Sequence, residues 1–509
     1  MPRRPAATLL ALALLLAAPA ASLAADDPDL SAGQRDTLLR YARDTWAGFV
    51  AMTDPDTGLP ADSLKYDGTA SVQTSTTNIG AYMWSTVVAR ELKIIRPAEA
   101  RARLSRTIAT LETMERHEES GQFYNWYDHT TGEVLTVWPP TGAPVTPILS
   151  SVDNGWLATG LKVVAESVPQ LSDRAGAIYD SMDFGFYYVP ERNLIRFHFT
   201  PSNPADSPCC YDTIVSESRI ASYIGIAKGE LPEKEYFGAW RTFPATCDWN
   251  WHETRPVGFN ATYLGVNVFE GAYPYEDFRV VPGWGGSMFE ALMPALFVPE
   301  EEWAPQSWAV NHPLTITAQI HHGLVDAEYG YWGFSPANIP EGGYTTYGVD
   351  AIGMDPGGYP SNNDKTLVDR GFGDCPGREP QPDPPPSAYT NGVVTPHAAF
   401  LALRWAPDAV MENLENIEAD FNNDANPLRD MYDRWGFRDS VNVDTGEVSD
   451  FYLSLDQGIV MAAIGNALAR DILRDAFATK DVRNVLKPVI GMEQFNAGPL
   501  SAVDYDPAP

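Results

Sequence analysis

The sequence predicts an all-α protein in which helix pairs form an α/α toroid, with long loops gathered as a cleft at one end. Three observations carry this. Apolar residues recur at helical spacing in segment after segment, the connections are long and rich in Gly, Pro, Trp and Tyr, and no repeat of fixed period runs along the chain. A superhelical solenoid would also consist of helix pairs, but it would show a repeat.

Residues 31–52 open on a capping residue, Ser31, and place apolar side chains at helical spacing. Comparable helices are predicted over 76–95, 99–118, 152–168, 213–228, 286–297, 303–324, 395–405, 408–420 and 451–475. Alternating strand patterns are few and short, so 241–283 and 325–394 read as long loops of the kind that usually carry function. Pro376–Pro386 (PGREPQPDPPP) reads as a stiff, exposed excursion. The expected organisation is a signal peptide at 1–25, one catalytic domain at 26–490 and a C-terminal tail at 491–509.

Export follows from the N-terminus. Arg3 and Arg4 precede an apolar run from Leu9 to Pro19, and small residues at Ala21 to Ala25 offer cleavage sites. The run is nearer 15 than the roughly 20 residues of a membrane span. A secreted or periplasmic protein is expected. Removing residues 1–25, which hold two arginines and no other charged side chain, takes the formal charge from −32 to −34. Such a surface repels phosphate backbones and anionic lipids, so nucleic acid, membranes and acidic polysaccharides are poor partners. The expected partner is a neutral oligo- or polysaccharide, and the chain is expected to be a monomer.

Four cysteines in an exported chain invite oxidation. Cys209 and Cys210 are adjacent, and a bond between neighbours is sterically awkward, so bridges from this pair to Cys247 and Cys375 are expected. Metal-ligand spacing is lacking: there is no Cys-x-x-Cys, and His321 and His322 are mere neighbours.

Trp and Tyr together number 37, and many lie beside Gly and Asp in loops: Tyr124, Trp126 and Tyr127 in GQFYNWYDHTTGE, Trp249 and Trp251 in CDWNWHE, Trp284 in GWGGS, and Tyr329, Tyr331 and Trp332 in EYGYWGF. Sugar rings have apolar faces and hydroxylated edges, so their sites combine flat aromatic platforms with carboxylates and amides. Glycoside hydrolysis further requires a carboxylic acid and a second carboxylate. Glu217, between Ser216 and Ser218 with Arg219 following and an apolar helix starting there, suits the acid. A helix-start carboxylate, or an ion pair to Arg219, explains the same position equally well.

Eight motifs occur in the order found in the glycoamylase-like domain family: TSTTNIGAYM (74–83), GQFYNWYDHTTGE (121–133), SVDNGWLATGL (151–161), YDTIVSESRIASYIGIAKGE (211–230), GWGGSMFEALMP (283–294), YGYWGFSPA (329–337), VTPHAAFLAL (394–403) and LDQGIVMAAIGN (455–466). The chain resembles this family, which includes bacterial endo-β-1,2-glucanases and is similar to the cyclisation domain of cyclic β-1,2-glucan synthases, from about residue 35 to 475. The resemblance implies an (α/α)6 barrel, action on β-glucosidic linkages, and no metal or organic cofactor. It implies Glu217 as general acid, Asp128 or Glu133 as partner carboxylate, and substrate contacts from Tyr124, Trp126, Tyr127, Asp153, Asn154, Arg219, Trp284, Glu290, Trp332 and Asp456. Asp456 opens a long apolar helix, so a capping role competes with a catalytic one. The proline-rich loop 133–150 and an insertion-like stretch at 356–393 depart from the family pattern and bear on substrate length and linkage. The family name does not make the chain a starch-degrading enzyme.

Other classes compatible with the residues are a non-catalytic glycan-binding protein, a transglycosylase, and a polysaccharide lyase. The last suits poorly a chain with 35 Lys plus Arg against 67 Asp plus Glu.

Overall fold

The computed structural model describes residues 30–249, 252, 254–354, 374–379, 381–422 and 430–500, so the expected signal segment and Trp251 lie outside the described residues. Among them are fourteen helices: α1 Ala32–Met52, α2 Thr76–Glu91, α3 Pro97–Leu111, α4 Ser151–Ser167, α5 Ser172–Ser181, α6 Arg219–Ala227, α7 Met288–Leu292, α8 Glu300–Trp303, α9 Trp308–His321, α10 Pro396–Leu401, α11 Pro407–Phe421, α12 Ser454–Leu468, α13 Ile472–Phe477 and α14 Lys480–Ile490. None is long and apolar enough to cross a membrane.

Two kinds of helix alternate. Helices such as α3 bury a single stripe, Ala100, Leu104, Thr107, Ile108 and Leu111, and leave the other face to solvent. Helices α2, α4, α6, α7, α10 and α12 are buried on nearly every side. These six are neighbours in chain order: α2 packs on α4, α4 on α6, α7 on α10, α10 on α12, and α12 returns to α2. Between α6 and α7 the link is Arg219, whose guanidinium donates to the Glu290 and Ala291 carbonyls at 2.8 and 2.6 Å. Each buried helix carries an outer partner: α3 on α2, α5 on α4, α14 on α6, α9 on α7, α11 on α10, and α1 on α12. Trp84, Trp156 and Phe297 fill the interior with ring centroids 5.0 to 6.2 Å apart.

Local signals account for the boundaries. Ser31 caps α1 through a reciprocal pair with Gln34, at 2.8 and 3.3 Å. A close approach between α2 and α4 rests on Gly80 and Gly160: a Cβ on Gly80 would stand 2.4 Å from the Trp156 carbonyl oxygen, and one on Gly160 would stand 2.8 Å from the Gly80 Cα.

The all-α expectation needs correction between 257 and 280. Val257–Tyr263 and Val266–Tyr275 form an antiparallel hairpin, extended by Phe278–Val280 and then by Gly498–Pro499 into a four-stranded sheet. Leu264 and Gly265, both at positive φ, make the two-residue turn whose twist suits such a hairpin. The expected tail also packs through residue 500. The Glu493 carboxylate is fully buried against the Arg241 guanidinium and accepts the Tyr236 hydroxyl at 2.5 Å. Helices α5, α8 and α14 escaped the sequence reading.

The cysteines pair differently from expectation, Cys209 with Cys210 and Cys247 with Cys375. An ion pair at 2.6 Å between Arg255 and Asp374 draws the two loops together, bringing the Cys247 and Cys375 Cα atoms to 5.5 Å. Cys209 and Cys210 are left with each other.

Replacing Gly80 with Ala should destabilise the fold by about 1–3 kcal/mol, because the new methyl group meets backbone that cannot retreat. Thermal melts of the variant check this, with Gly176→Ala, which lies inside α5 and meets nothing within 4 Å, as a control expected to be unchanged or slightly more stable.

Candidate active site

Several of the buried helices begin at one end of the bundle with polar residues, and six carboxyl groups collect there: Asp62, Asp153, Glu217, Glu290, Asp439 and Asp456. Asp62, Asp153, Glu217 and Glu290 each keep an edge in contact with solvent although protein surrounds them. Such groups form the floor of a cleft.

Glu217 lies in the turn that enters α6. The Trp156 indole donates to its carboxylate at 2.5 Å, and its own backbone N–H donates to the Glu290 carboxylate at 2.8 Å. Burial, then the Glu290 charge, then Asp153 push its pKa well above the ordinary 4.5, more than the Trp156 bond lowers it. The group is thereby held as a neutral acid. Arg219, expected at the substrate, is turned away from it. Its guanidinium pairs with Glu300 at 2.7 Å in a buried ion pair and donates to the Ser216 carbonyl, which fixes the turn carrying Glu217. Glu300 also accepts the Tyr223 hydroxyl and faces His312, and Arg219, followed by the His312 bond, holds it near pKa 2 against the effect of burial.

Asp153 stands on α4, next to α6. Thr77 donates to one oxygen at 2.6 Å, and the Asn125 amide, in the orientation that satisfies both its ends, donates to the other at 2.9 Å while accepting from the Trp126 indole. Asp62 accepts from Asn78 at 2.8 Å. Both have pKa values raised by burial.

Asp456 lies in the first turn of α12 but does not cap it, since its neighbours are Asp439 and His397. Burial and the Asp439 carboxyl push its pKa well above 3.8, and burial raises Asp439 too. Burial lowers His397 to about 3, so the imidazole is neutral. Ligand atoms of His397, Asp439 and Asp456 lie within 4.8 Å of one another, as do those of Glu276, His321 and Asp326 elsewhere on the chain, so either trio has the spacing to hold a metal ion.

Other expected residues divide. Trp284 makes edge contacts with Phe197 and Tyr211, and the Tyr211 phenol stands in the field of Glu217, Asp153 and Glu290, so an aromatic wall borders the acid. Trp126 packs edgewise on Trp138 at 5.0 Å. Tyr127 and Trp332, expected on the platform, are core residues at 0% and 2% exposure. Tyr127 donates to the Glu115 carbonyl, and the Trp332 backbone is held by Asn413. Asn154 is also buried, bridging the Phe123 backbone in both directions. Asp128 accepts from Thr130 in an exposed turn, while Glu133 is exposed and lines a separate groove with Tyr124, Thr136 and Pro147. Neither is drawn toward Glu217. Asp62, Asp439 and His397 were missed, although His397 lies inside a quoted motif.

Residues 252–481 match the model of the Glycoamylase family, described as "Putative glucoamylase". The matched segment, a little under half of the chain, contains Glu290, Asp439 and Asp456. Residues 40–187, with Asp62 and Asp153, match a family described as a protein of unknown function, DUF3131. Glu217 lies between the two. The chain is 25% identical over 365 residues to the cyclic β-(1,2)-glucan synthase NdvB of Rhizobium meliloti (strain 1021), covering 68% of this chain but only 10% of that much longer protein. In fold it is similar to an endo-β-1,2-glucanase from Chitinophaga pinensis solved with sophorotriose and glucose (TM-score 0.62, 16% identity, 90% of this chain and 98% of that one). It is likewise similar to a β-1,2-glucanase from Parabacteroides distasonis (0.63, 15%, 90% and 60%) and to an endo-β-1,2-glucanase mutant from Talaromyces funiculosus in complex with β-1,2-glucan (0.58, 11%, 92% and 91%).

The raised pKa of Glu217 fixes the sign of a stability effect. A carboxyl that binds its proton more tightly folded than unfolded loses stability as pH rises from the unfolded value, near 4.5, toward the folded one. Glu217→Gln should therefore raise Tm, and raise it more at pH 7 than at pH 4. Scanning calorimetry at the two pH values checks this, and a fall in Tm at pH 7 would contradict it.

Proposed function

We propose that the chain is an exported glycoside hydrolase of (α/α)6 barrel architecture that cleaves neutral β-glucan, with β-1,2-glucan as the first substrate. The observation that carries this is the opposition of two protonatable carboxyls. Glu217 enters the third of the six ring helices and Asp456 the sixth, and the Tyr344 phenol stands in the field of both. Members three apart in a ring of six face each other across its axis.

In this reading Glu217 protonates the glycosidic oxygen. The Trp156 indole fixes the orientation of its carboxyl, and the unpaired charge that ionisation would leave there is suppressed until the leaving group takes the proton. Asp439 and Asp456 share one proton, as carboxyls in contact must, so the pair keeps one negative charge with which Asp456 accepts a proton from water, directly or through a sugar hydroxyl. Attack from the face opposite the acid favours inversion. Asp153 and Asp62 accept from sugar hydroxyls, and Phe197, Tyr211 and Trp284 supply the apolar wall. The β-glucanases of similar fold support the substrate class, and the apolar N-terminal run supports export. Asp128 and Glu133, expected as the partner carboxylate, take no part in this reading.

On a panel of neutral glucans, the wild type should release oligosaccharides from β-1,2-glucan. Glu217→Gln and Asp456→Asn should each lower kcat by about 10²–10⁴-fold, whereas Asp128→Asn and Glu133→Gln should retain most turnover. Near-normal turnover in either of the first two would sink the assignment. The NdvB similarity favours transglycosylation as a second reading, which products longer than the substrate would reveal.

A further inference from the structure

Ala337–Asn338 and Tyr344–Thr345 form a short hairpin in which Tyr344 stands opposite Asn338. Gly342 and Gly343, at φ +125° and +107°, make a turn that side-chain-bearing residues would strain. The hairpin is fastened to the acid pair. The Asn338 N–H donates to the Asp439 carboxylate at 2.5 Å, and the Ser440 hydroxyl donates to the Asn338 carbonyl. Tyr344 itself is 58% exposed, a large ring left bare in a protein that buries most of its tyrosines. A bare ring on an outer surface would feel few charges. This one stands in the field of Asp456, Asp439, Glu217 and Asp62, which come from four separate segments of the chain. Solvent over the ring and acids around the hydroxyl together describe a residue that overhangs the cleft.

We infer that Tyr344 is the roof of the sugar site, its ring packing on the apolar face of the pyranose held between Glu217 and Asp456 and its hydroxyl donating to a sugar oxygen. This rests on the glucan reading above and adds a contact which that reading does not require. The chemistry of the surroundings selects the occupant. The ring face is open to solvent but the hydroxyl end is enclosed, and that local burial, then the neighbouring carboxyls, raise the phenol's pKa well above its ordinary value, so it offers a donor among groups that mostly accept. A neutral sugar hydroxyl can give to a carboxylate and receive from the phenol at once. A uronate in the same place would be repelled by the negative charge that the Asp439–Asp456 pair keeps. The turn at Gly342 and Gly343 places the ring over the acids, while the bond to Asp439 ties it to the proton-accepting side of the cleft.

The test uses the inactive Glu217→Gln protein, titrated calorimetrically with β-1,2-gluco-oligosaccharides, and the same protein with Tyr344→Ala or Tyr344→Phe added. Removing the ring should weaken binding by roughly tenfold or more, and removing only the hydroxyl by about threefold to tenfold. Tm should be unchanged in both, because the ring is exposed. In the active enzyme, Tyr344→Phe should raise KM with little change in kcat. If the parent binds the oligosaccharides and the Ala variant binds them equally well, Tyr344 is not the roof and the glucan reading stands. If the parent binds no neutral β-glucan, that reading falls and this inference falls with it.

Discussion

The guanidinium of Arg219 is the constraint on which the rest of the site depends. It is buried, paired at two points with Glu300, and donates to carbonyls on both sides of the gap between the third and fourth ring helices. The helix that follows it and the turn that precedes it are thus locked to α7 by one planar group, and Glu217 is carried in that turn. Removing one partner of such a pair leaves an uncompensated charge in the interior, a loss on the order of 3–5 kcal/mol. The ring could close at this point with apolar contacts alone. A guanidinium adds direction, because its donors reach carbonyls only where the turn has the right shape.

A second constraint runs the other way. Six carboxyl groups crowd one end of the bundle, and burial raises the pKa of each. That arrangement opposes folding at neutral pH and persists because the packing below it is dense. Trp84, Trp156 and Phe297 fill the ring interior, and Trp156 connects the two regimes, packing within the core while its indole N–H reaches up to Glu217. Gly80 and Gly160 allow the backbone of α4 to come close enough to α2 for this to happen. Helix packing, tryptophan placement and acid orientation are therefore one continuous chain of contacts.

Much of the helical framework was legible in the sequence, since an apolar run as long as 454–468 or 151–167 exceeds the length of a strand. The sheet at 257–280 was not, because Gly and Pro within GFNATYLGVNVFEGAYPY mask the alternation of a strand. Glu217 was legible through its setting between two serines ahead of an apolar helix. Tyr127 and Trp332 were misplaced because an aromatic beside Gly and Asp reads alike whether it faces a cleft or a core; burial decides, and local sequence does not encode it. Asp128 misled for a related reason. Asp-x-Thr is also the signature of a turn in which the carboxylate accepts from its own backbone neighbourhood, and that is the role it takes here. Asp439 and Tyr344 carry no local signal at all, since their significance comes from contacts between segments far apart in the chain.

The acid arc and the fold shared with β-1,2-glucanases support the proposed cleft, in which Glu217 and Asp456 would flank a bound sugar. The most direct measurement is a crystal structure of Glu217→Gln with a β-1,2-gluco-oligosaccharide. The account predicts a glycosidic oxygen within hydrogen-bond distance of the side chain at 217, with Asp456 on the opposite face, reached through a water or a sugar hydroxyl. A glycosidic linkage seated instead in the groove lined by Tyr124 and Glu133 would contradict it.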